Sequence, residues 1–506
     1  MQWAPHRRAA GIGHGARDSC QRYQCLQDTV TSTDPQHGGP GLGHVHDTAM
    51  SPTPDVPRVR LRERLGTRTL RTMSESAADL GPPLFADGRH KEPTAERVAA
   101  ASHFILELAR ALHQHGTPAH RLESALSAAA QQLGLETNFM STPTSIMVGI
   151  GPIDQQQVHL LRVEPGDTNL GHLSTLGEIT RQVVDGEIST RAGLAQINAL
   201  AKEPPRYAAW LVPVAFVMSS AAVACFLKVR TGDVVVASLL GLVTAIVSIF
   251  ASRRESTRHV VEPTAAFLVT ALAFTLDGVL HTKTGYATSL AGLVIMLPGL
   301  TFTVALTELS TRHLSSGTAR LSGALVTFLG LGFGLALGAK AGAALGEDLS
   351  RWLPNLADLS SRAPLPNWAE WVALLVAPLG FMVLLKAQPR HALPIVVAST
   401  AAYLTSKFAG AAMGEQLGAF LGAMVVSAGS NLFARMKRRV AMVTQVPGLL
   451  ILVPGSIGFR SVTSLLDQEV ETGIATAFRV AIIGISLAAG LLAGNVVTRS
   501  VNRVRI

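Results

Sequence analysis

Apolar positions follow two regimes along the chain. After Tyr207 they gather into long runs, whereas before it they recur at helical or alternating spacing among Pro, His, Arg and Asp. Crossing a hydrocarbon core of ~30 Å takes about 20 helical residues. Ten runs reach that length: 208–228, 233–251, 262–280, 286–307, 319–344, 367–386, 391–409, 413–433, 443–464 and 473–497. The run at 391–409 carries Pro394 and Lys407, and that at 443–464 is broken by Pro447, Pro454 and Arg460, so these two are the least regular. Upstream, Val98, Ile105, Leu108, Ala109 and Leu112 recur at helical spacing, and Gly116 with Pro118 stops that helix and starts another, which Gly134 ends. Residues 137–150 and 158–163 carry strand patterns, and helical spacing returns over 173–200. The pattern predicts a small α/β or α+β domain at 95–205. Residues 1–94 show no period and little aliphatic content, and are predicted to be a disordered tail.

Composition turns this pattern into a class. Of 506 residues, 48% are hydrophobic and only 15% charged, against ~25% in soluble domains, so an α-helical polytopic membrane protein is expected. A net charge of +9 fits cationic cytoplasmic loops without a nucleic-acid partner. Cys20, Cys25 and Cys225 match no zinc or disulfide pattern. No catalytic residue, metal or cofactor is expected. The start MQWAPHRRAA lacks an apolar run, so no secretory signal is expected, and Met73 opens MSESAADLGPP, which reads as an ordinary protein start that would leave 1–72 as an untranslated extension.

Orientation follows from Lys and Arg in short loops. With the amino terminus inside, sixteen fall on the inner side and eight on the outer, so both termini are expected in the cytoplasm and the chain in the cell membrane. Leu297-Pro298-Gly299 and Val453-Pro454-Gly455 lie 156 residues apart, and the same shift carries the first five runs onto the last five. Because five is odd, two such copies would enter the membrane from opposite sides, as two inverted five-helix repeats. The expected division is a first module at 206–345, an external linker at 346–366 and a second module at 367–506.

Candidate chemistry sits at the two Pro-Gly pairs. Proline lacks an amide hydrogen and breaks the helix, so the carbonyl near Val294 is expected to lose its partner. The half-helix beginning at Gly299 or Gly455 would aim free N–H groups at mid-membrane, where they suit a substrate carboxylate. A packing kink is the plain alternative. Pro298, Gly299, Pro454, Gly455 and Arg479 are therefore the substrate-binding candidates, and Asp277, Glu308 and Glu262, near span ends, the coupling candidates. Glu415 is the remaining ionisable residue of that kind. Gly410, Gly414, Gly418 and Gly422, like Gly330, Gly334 and Gly338, recur every fourth residue and predict close helix packing or a homo-oligomer through these faces. His113, His115, His120 and Glu123 offer weaker metal or hydrolase chemistry, and no HExxH, GxSxG or GxxxxGK[ST] occurs.

Over about 95–500 the chain resembles the threonine/serine exporter family. The resemblance rests on His115-Gly116-Thr117-Pro118-Ala119-His120-Arg121-Leu122-Glu123, on Pro143-Thr144-Ser145-Ile146, on the LPG at 297–299 followed by Glu308 and Arg320, and on LVPGSIGF at 452–459. It implies a soluble amino-terminal region joined to two five-span modules. The implied activity is export of small hydroxy amino acids driven by the proton motive force, with the amino acid, protons and the bilayer as partners. A membrane-anchored hydrolase or sensor working through residues 95–205 is the alternative.

Overall fold

A computed structural model describes residues 95–164, 166–252, 260–352, 363–452, 461, 464 and 469–500. All lie in one compact unit, Lys91–Ile506. The expected tail at 1–94, residues 353–362 of the linker and both Pro454 and Gly455 lie outside the described residues.

The amino-terminal part is α+β. Helix α1 (Ala95–Gln114) and α2 (Ala119–Gln132) precede strands β1 (Thr137–Ser141), β2 (Ser145–Ile150) and β3 (Gln157–Arg162), followed by α3 (Leu170–Val184) and α4 (Thr190–Leu200). The run at 137–150 is thus a hairpin rather than one strand, because residues 142–144 turn on the Thr142 hydroxyl, which accepts the Ser145 amide at 3.1 Å. The sheet is antiparallel in the order β1-β2-β3. Phe104, Ile105 and Leu108 of α1, Leu122 and Leu126 of α2, Ile146 and Val148 of β2 and Leu176 of α3 form its buried centre, so the helical periodicity of the sequence marks one shared core.

Eleven further α-helices are described: α5 (Leu211–Phe226), α6 (Thr231–Ser252), α7 (Val261–Leu280), α8 (Gly285–Leu293), α9 (Gly299–Ser310), α10 (Leu314–Trp352), α11 (Trp368–Leu384), α12 (Ala392–Met413), α13 (Glu415–Lys437), α14 (Met442–Leu452) and α15 (Val470–Ser500). Among the described residues six helices are long and apolar enough to cross a membrane, and a seventh crossing follows if the bent pair α8 and α9 is one span. Helices α5, α11 and α14 are apolar but shorter, with 16, 17 and 11 residues. The chain is therefore a multi-pass helical membrane protein.

Packing partners recur along the chain. Helix α5 packs on α6 and α8, and α7 on α10; α11 packs on α12 and α14, and α13 on α15. The two halves meet where α5 packs on α11 and α9 on α15. The α7–α10 seam needs glycine, since a Cβ at Gly334 would lie 2.2 Å from the Pro263 carbonyl oxygen and one at Gly338 2.5 Å from that of Phe267. The α13–α15 seam repeats this, with Gly490 at 2.2 Å from the Phe420 oxygen and Gly494 at 2.7 Å from that of Met424. Helices α5, α7, α11 and α13 end on Lys228, His281, Lys386 and Arg438, each at positive φ. A cationic side chain there complements the helix dipole.

The glycine stripes thus serve packing within one chain. Gly410, Gly414, Gly418 and Gly422 do not share a helix: Gly414, at φ 95°, separates α12 from α13. That turn folds the two helices together so that a Cβ at Gly418 would meet Gly410 and the Ser406 carbonyl.

Candidate functional site

The break at Pro298 is the best-defined irregularity of the membrane region. A 3-10 turn over Val294–Met296 follows α8, Leu297 is extended, and α9 starts at Gly299 at 57° to the preceding segment. The Val294 carbonyl, which Pro298 cannot serve, takes the Leu297 amide at 3.4 Å instead. Bending exposes Thr301, in the first turn of α9, where the leading amides have no partner within the helix.

That turn faces a cavity of about 470 Å³ between the two halves. Phe226 of α5, Leu297, Leu300 and Thr301 represent the first half in its wall, and Phe381 of α11 and Tyr403 of α12 the second. At one end lie Asp167 and Thr168, from the loop before α3. At the other, the Phe226 and Tyr403 rings stack with centroids 5.1 Å apart. The Tyr403 hydroxyl donates to Glu370 at 2.8 Å, and the Lys407 ammonium pairs with the same carboxylate. Past this group opens a second, charged cavity of about 590 Å³ lined by Lys228, Arg230, Glu370 and Lys407.

The segment His115–Glu123 packs against the loop that carries Asp167 and Thr168. Gly116 adopts φ +83° and a Cβ there would lie 2.8 Å from the Thr168 hydroxyl, so this position holds the loop only as glycine. Asn169 caps α3 by accepting the His172 amide at 3.0 Å, and the Leu170 amide donates to the Leu385 carbonyl at 2.9 Å. The first turn of α2 then grips both halves. Its Ala119 amide donates to Glu308 of α9 at 2.8 Å, and the Arg121 guanidinium donates to Gln445 of α14 at 2.5 Å. Glu308 is fully buried, accepts the Ser316 hydroxyl at 2.8 Å and pairs with Arg320 at 3.1 Å. Glu123 accepts the Ser141 amide at 2.7 Å and lies 3.1 Å from His313.

Burial sets the charge state of this junction. Desolvation, assisted by Arg121 and His313, pushes His120 down to about 3, and desolvation with His172 beside it pushes His115 down to about 4. Both imidazoles are neutral at pH 7. His115 and His172 share one hydrogen bond of 3.1 Å. Desolvation also brings Arg121 down to about 10, which leaves it charged.

The sequence candidates separate under this geometry. Pro298 and Gly299 shape the cavity end of α9. Glu308 lies 11 residues from the LPG start, at the far end of α9, in the junction. Asp277 accepts the Thr284 amide at 2.9 Å and the Thr282 hydroxyl, and so caps the turn after α7. Glu262 is in the first turn of α7. Arg479 pairs with Glu415, both partly exposed, and neither lines the cavity among its described residues. Sequence reasoning missed Asp167, Glu370, Tyr403, Gln445 and the buried Asp233, which accepts the Thr284 hydroxyl at 3.0 Å. Glu370, in the first turn of its span, carried the same signal as Glu262, a carboxylate at a span end. Tyr403, one of only four tyrosines, carried none.

Two sequence profiles of the threonine/serine exporter family match the chain, one over residues 103–341 and one over 370–497. Similar curated proteins include pheromone-regulated membrane protein 10 of Debaryomyces hansenii, 27% identical over 71% of this chain and 36% of its own length. Its Candida albicans counterpart is 28% identical over 74% of this chain and 35% of its own length. An uncharacterized protein of Schizosaccharomyces pombe is 24% identical over 73% of this chain and 50% of its own. The chain thus spans half or less of the length of these relatives. No solved structure matches it. Both profiles fall on the residues just described, one from α1 through the break to α10 and the other from α11 to α15, and the chain belongs to the threonine/serine exporter family.

Proposed function

We propose that the chain is a secondary transporter that exports threonine, serine or a similar small amino acid across the cell membrane by proton antiport. The observation that carries this reading is the cavity between the halves, walled by the break at Pro298 and carrying polar groups from separate elements, Asp167 and Thr168 of the loop before α3 and Tyr403 of α12. A substrate carboxylate would sit at the leading amides of α9, where the helix dipole favours an anion. Alternating access would open the Asp167 end and the Tyr403 end in turn.

Support for two modules comes from the seams. Gly490 and Gly494 follow Gly334 and Gly338 by 156 positions each, and their carbonyl partners Phe420 and Met424 follow Pro263 and Phe267 by 157. Lys386 follows Lys228 by 158 positions and Arg438 follows His281 by 157. An odd number of spans per copy would invert the second module, with both termini in the cytoplasm. Glu308 is the coupling carboxylate favoured here, because it is buried and links α9 to α2 and Arg320, whereas Asp277 is engaged in capping. Labelled threonine efflux from loaded cells tests the reading: it should exceed that of cells lacking the protein and fall when an uncoupler is added. Efflux equal to the empty membrane would overturn export, and efflux indifferent to the uncoupler would overturn proton coupling.

A further inference from the structure

A basic cleft lies where the amino-terminal part meets the end of the second half, and it shares no described lining residue with the cavity beside α9. Arg121 of α2, Arg435 of α13 and Arg439 of the following loop line it with Asn431, Asn495 and Thr498, and its described lining holds no carboxylate. Cations in a loop at a span end are ordinary on one face of a membrane. Arg121 is not of that kind, because it comes from a helix of the amino-terminal part and meets the others in the same cleft. Burial weakens the hold of its guanidinium on a proton, and no described carboxylate offsets this. Its described hydrogen bond, to Gln445, uses one nitrogen of a group with five N–H donors.

Like charges gather around this cleft. Burial, then Arg439 and Arg206, lower the pKa of Arg390, and Lys437 and Arg438 precede Arg439 in the chain. Glu178, across the loop, feels Arg439 but is held by Arg181 at 2.9 Å. Guanidinium groups crowded together and partly withdrawn from water are costly unless an anion lies between them, and their paired N–H groups match phosphate oxygens. We infer that the cleft binds a phosphate-bearing anion, with the headgroup of an acidic phospholipid as the source its surroundings favour. Leu432 and Met436, one turn apart on α13, and Val496 and Val497 on α15 are exposed apolar side chains near Arg435 and Thr498 in sequence, where acyl chains would lie. Basic pockets between spans are a known setting for acidic headgroups. The walls are held in place without a ligand, since Asn431 donates to Asn495 at 2.8 Å and Arg435 to the Thr498 carbonyl at 2.5 Å.

Native mass spectrometry of the full-length protein in phosphatidylcholine–detergent micelles, titrated with phosphatidylglycerol, reads the site independently of export. Phosphatidylglycerol should be retained in preference to phosphatidylcholine. Arg439→Gln and Arg121→Gln should each weaken its binding about tenfold or more, whereas Arg351→Gln, an exposed arginine outside the cleft, should leave it unchanged. Arg121 also grips Gln445, so Arg439→Gln decides the matter if Arg121→Gln fails to fold. Inorganic phosphate separates the two sources. Competition by phosphate against bound phosphatidylglycerol supports the headgroup, while phosphate binding that needs Arg439, with phosphatidylglycerol not bound, keeps the phosphate site and overturns its lipid source. Equal retention of the two lipids without phosphate binding, or equal weakening by Arg351→Gln, would overturn the site itself.

Discussion

The junction beneath α2 and the cavity beside α9 are joined by one helix and differ in nearly every physical respect. At the junction a fully buried carboxylate, Glu308, is held by a backbone amide of α2 and by a hydroxyl and a guanidinium one turn apart on α10. Less than three helical turns away, the start of α9 faces a cavity whose described wall is mainly apolar, with Asp167, Thr168, Thr301 and Tyr403 as its polar members. Buried charge is tolerated only when paired, and a pair that joins two elements fixes their relative position more than it adds stability. An apolar wall is undemanding in direction and lets its occupant slide. On the proposed export reading, the contrast would put passage at the break and coupling at the junction, at opposite ends of α9.

Breaking the junction should have the largest effect. Glu308→Ala leaves Arg320 without its partner and should cost about 3–5 kcal/mol, read as loss of folded protein in membranes. Glu308→Gln keeps the shape but not the charge, so it should lower abundance less than Glu308→Ala while removing the response of efflux to an uncoupler in the protein that inserts. Wild-type coupling in Glu308→Gln would return the junction to a purely structural role.

Straightening the break comes next. Pro298→Ala with Gly299→Leu allows α8 and α9 to run on as one helix and fills the space at its start, so efflux should fall at least tenfold with insertion unchanged. Parental efflux would make the break a packing kink.

A smaller effect is expected where α2 grips the second half. A double-mutant cycle on Arg121→Ala and Gln445→Ala should return a coupling of about 1–2 kcal/mol. The histidines add a pH dependence of defined sign. His115 and His120 titrate at about 4 and about 3 when folded, against 6.5 in the unfolded chain, so between pH 6.5 and 4 the unfolded form binds more protons. Stability of residues 95–200 should be fully present above pH 6.5 and decline as the pH falls through that window. Hydrogen exchange at pH 7 and 5 in the parent and in His115→Gln with His120→Gln measures it, and an unchanged pH dependence in the variant would contradict the assignment. The least effect is expected from Arg479→Gln, since its pairing with Glu415 is partly exposed and off the cavity wall. Efflux should change less than twofold.

Both regions were unevenly legible in the sequence. Apolar runs located the helices because a bilayer demands continuous hydrophobicity, and Pro298 announced the break because proline removes a specific hydrogen bond. Glu308 stood out as a carboxylate in an apolar run. Its bond to α2 did not, because Ala119 contributes only a backbone amide, 189 positions away in the chain, and no residue type signals that. Gln445 and Asp167 were hidden because their partners, Arg121 and Lys386, are distant in the chain. Tyr403 gained its meaning only when folding set it against Phe226 and Glu370. The glycine stripe at 410–422 misled, since spacing alone cannot reveal that Gly414 turns the chain.

The central claim is that substrate passes the start of α9. Thiol labelling tests it most directly, in a chain whose three native cysteines are replaced and which carries Thr301→Cys. Modification by a bulky thiol reagent should abolish amino-acid efflux, and excess substrate should slow the modification. Complete modification of Thr301→Cys with efflux undiminished would contradict the account.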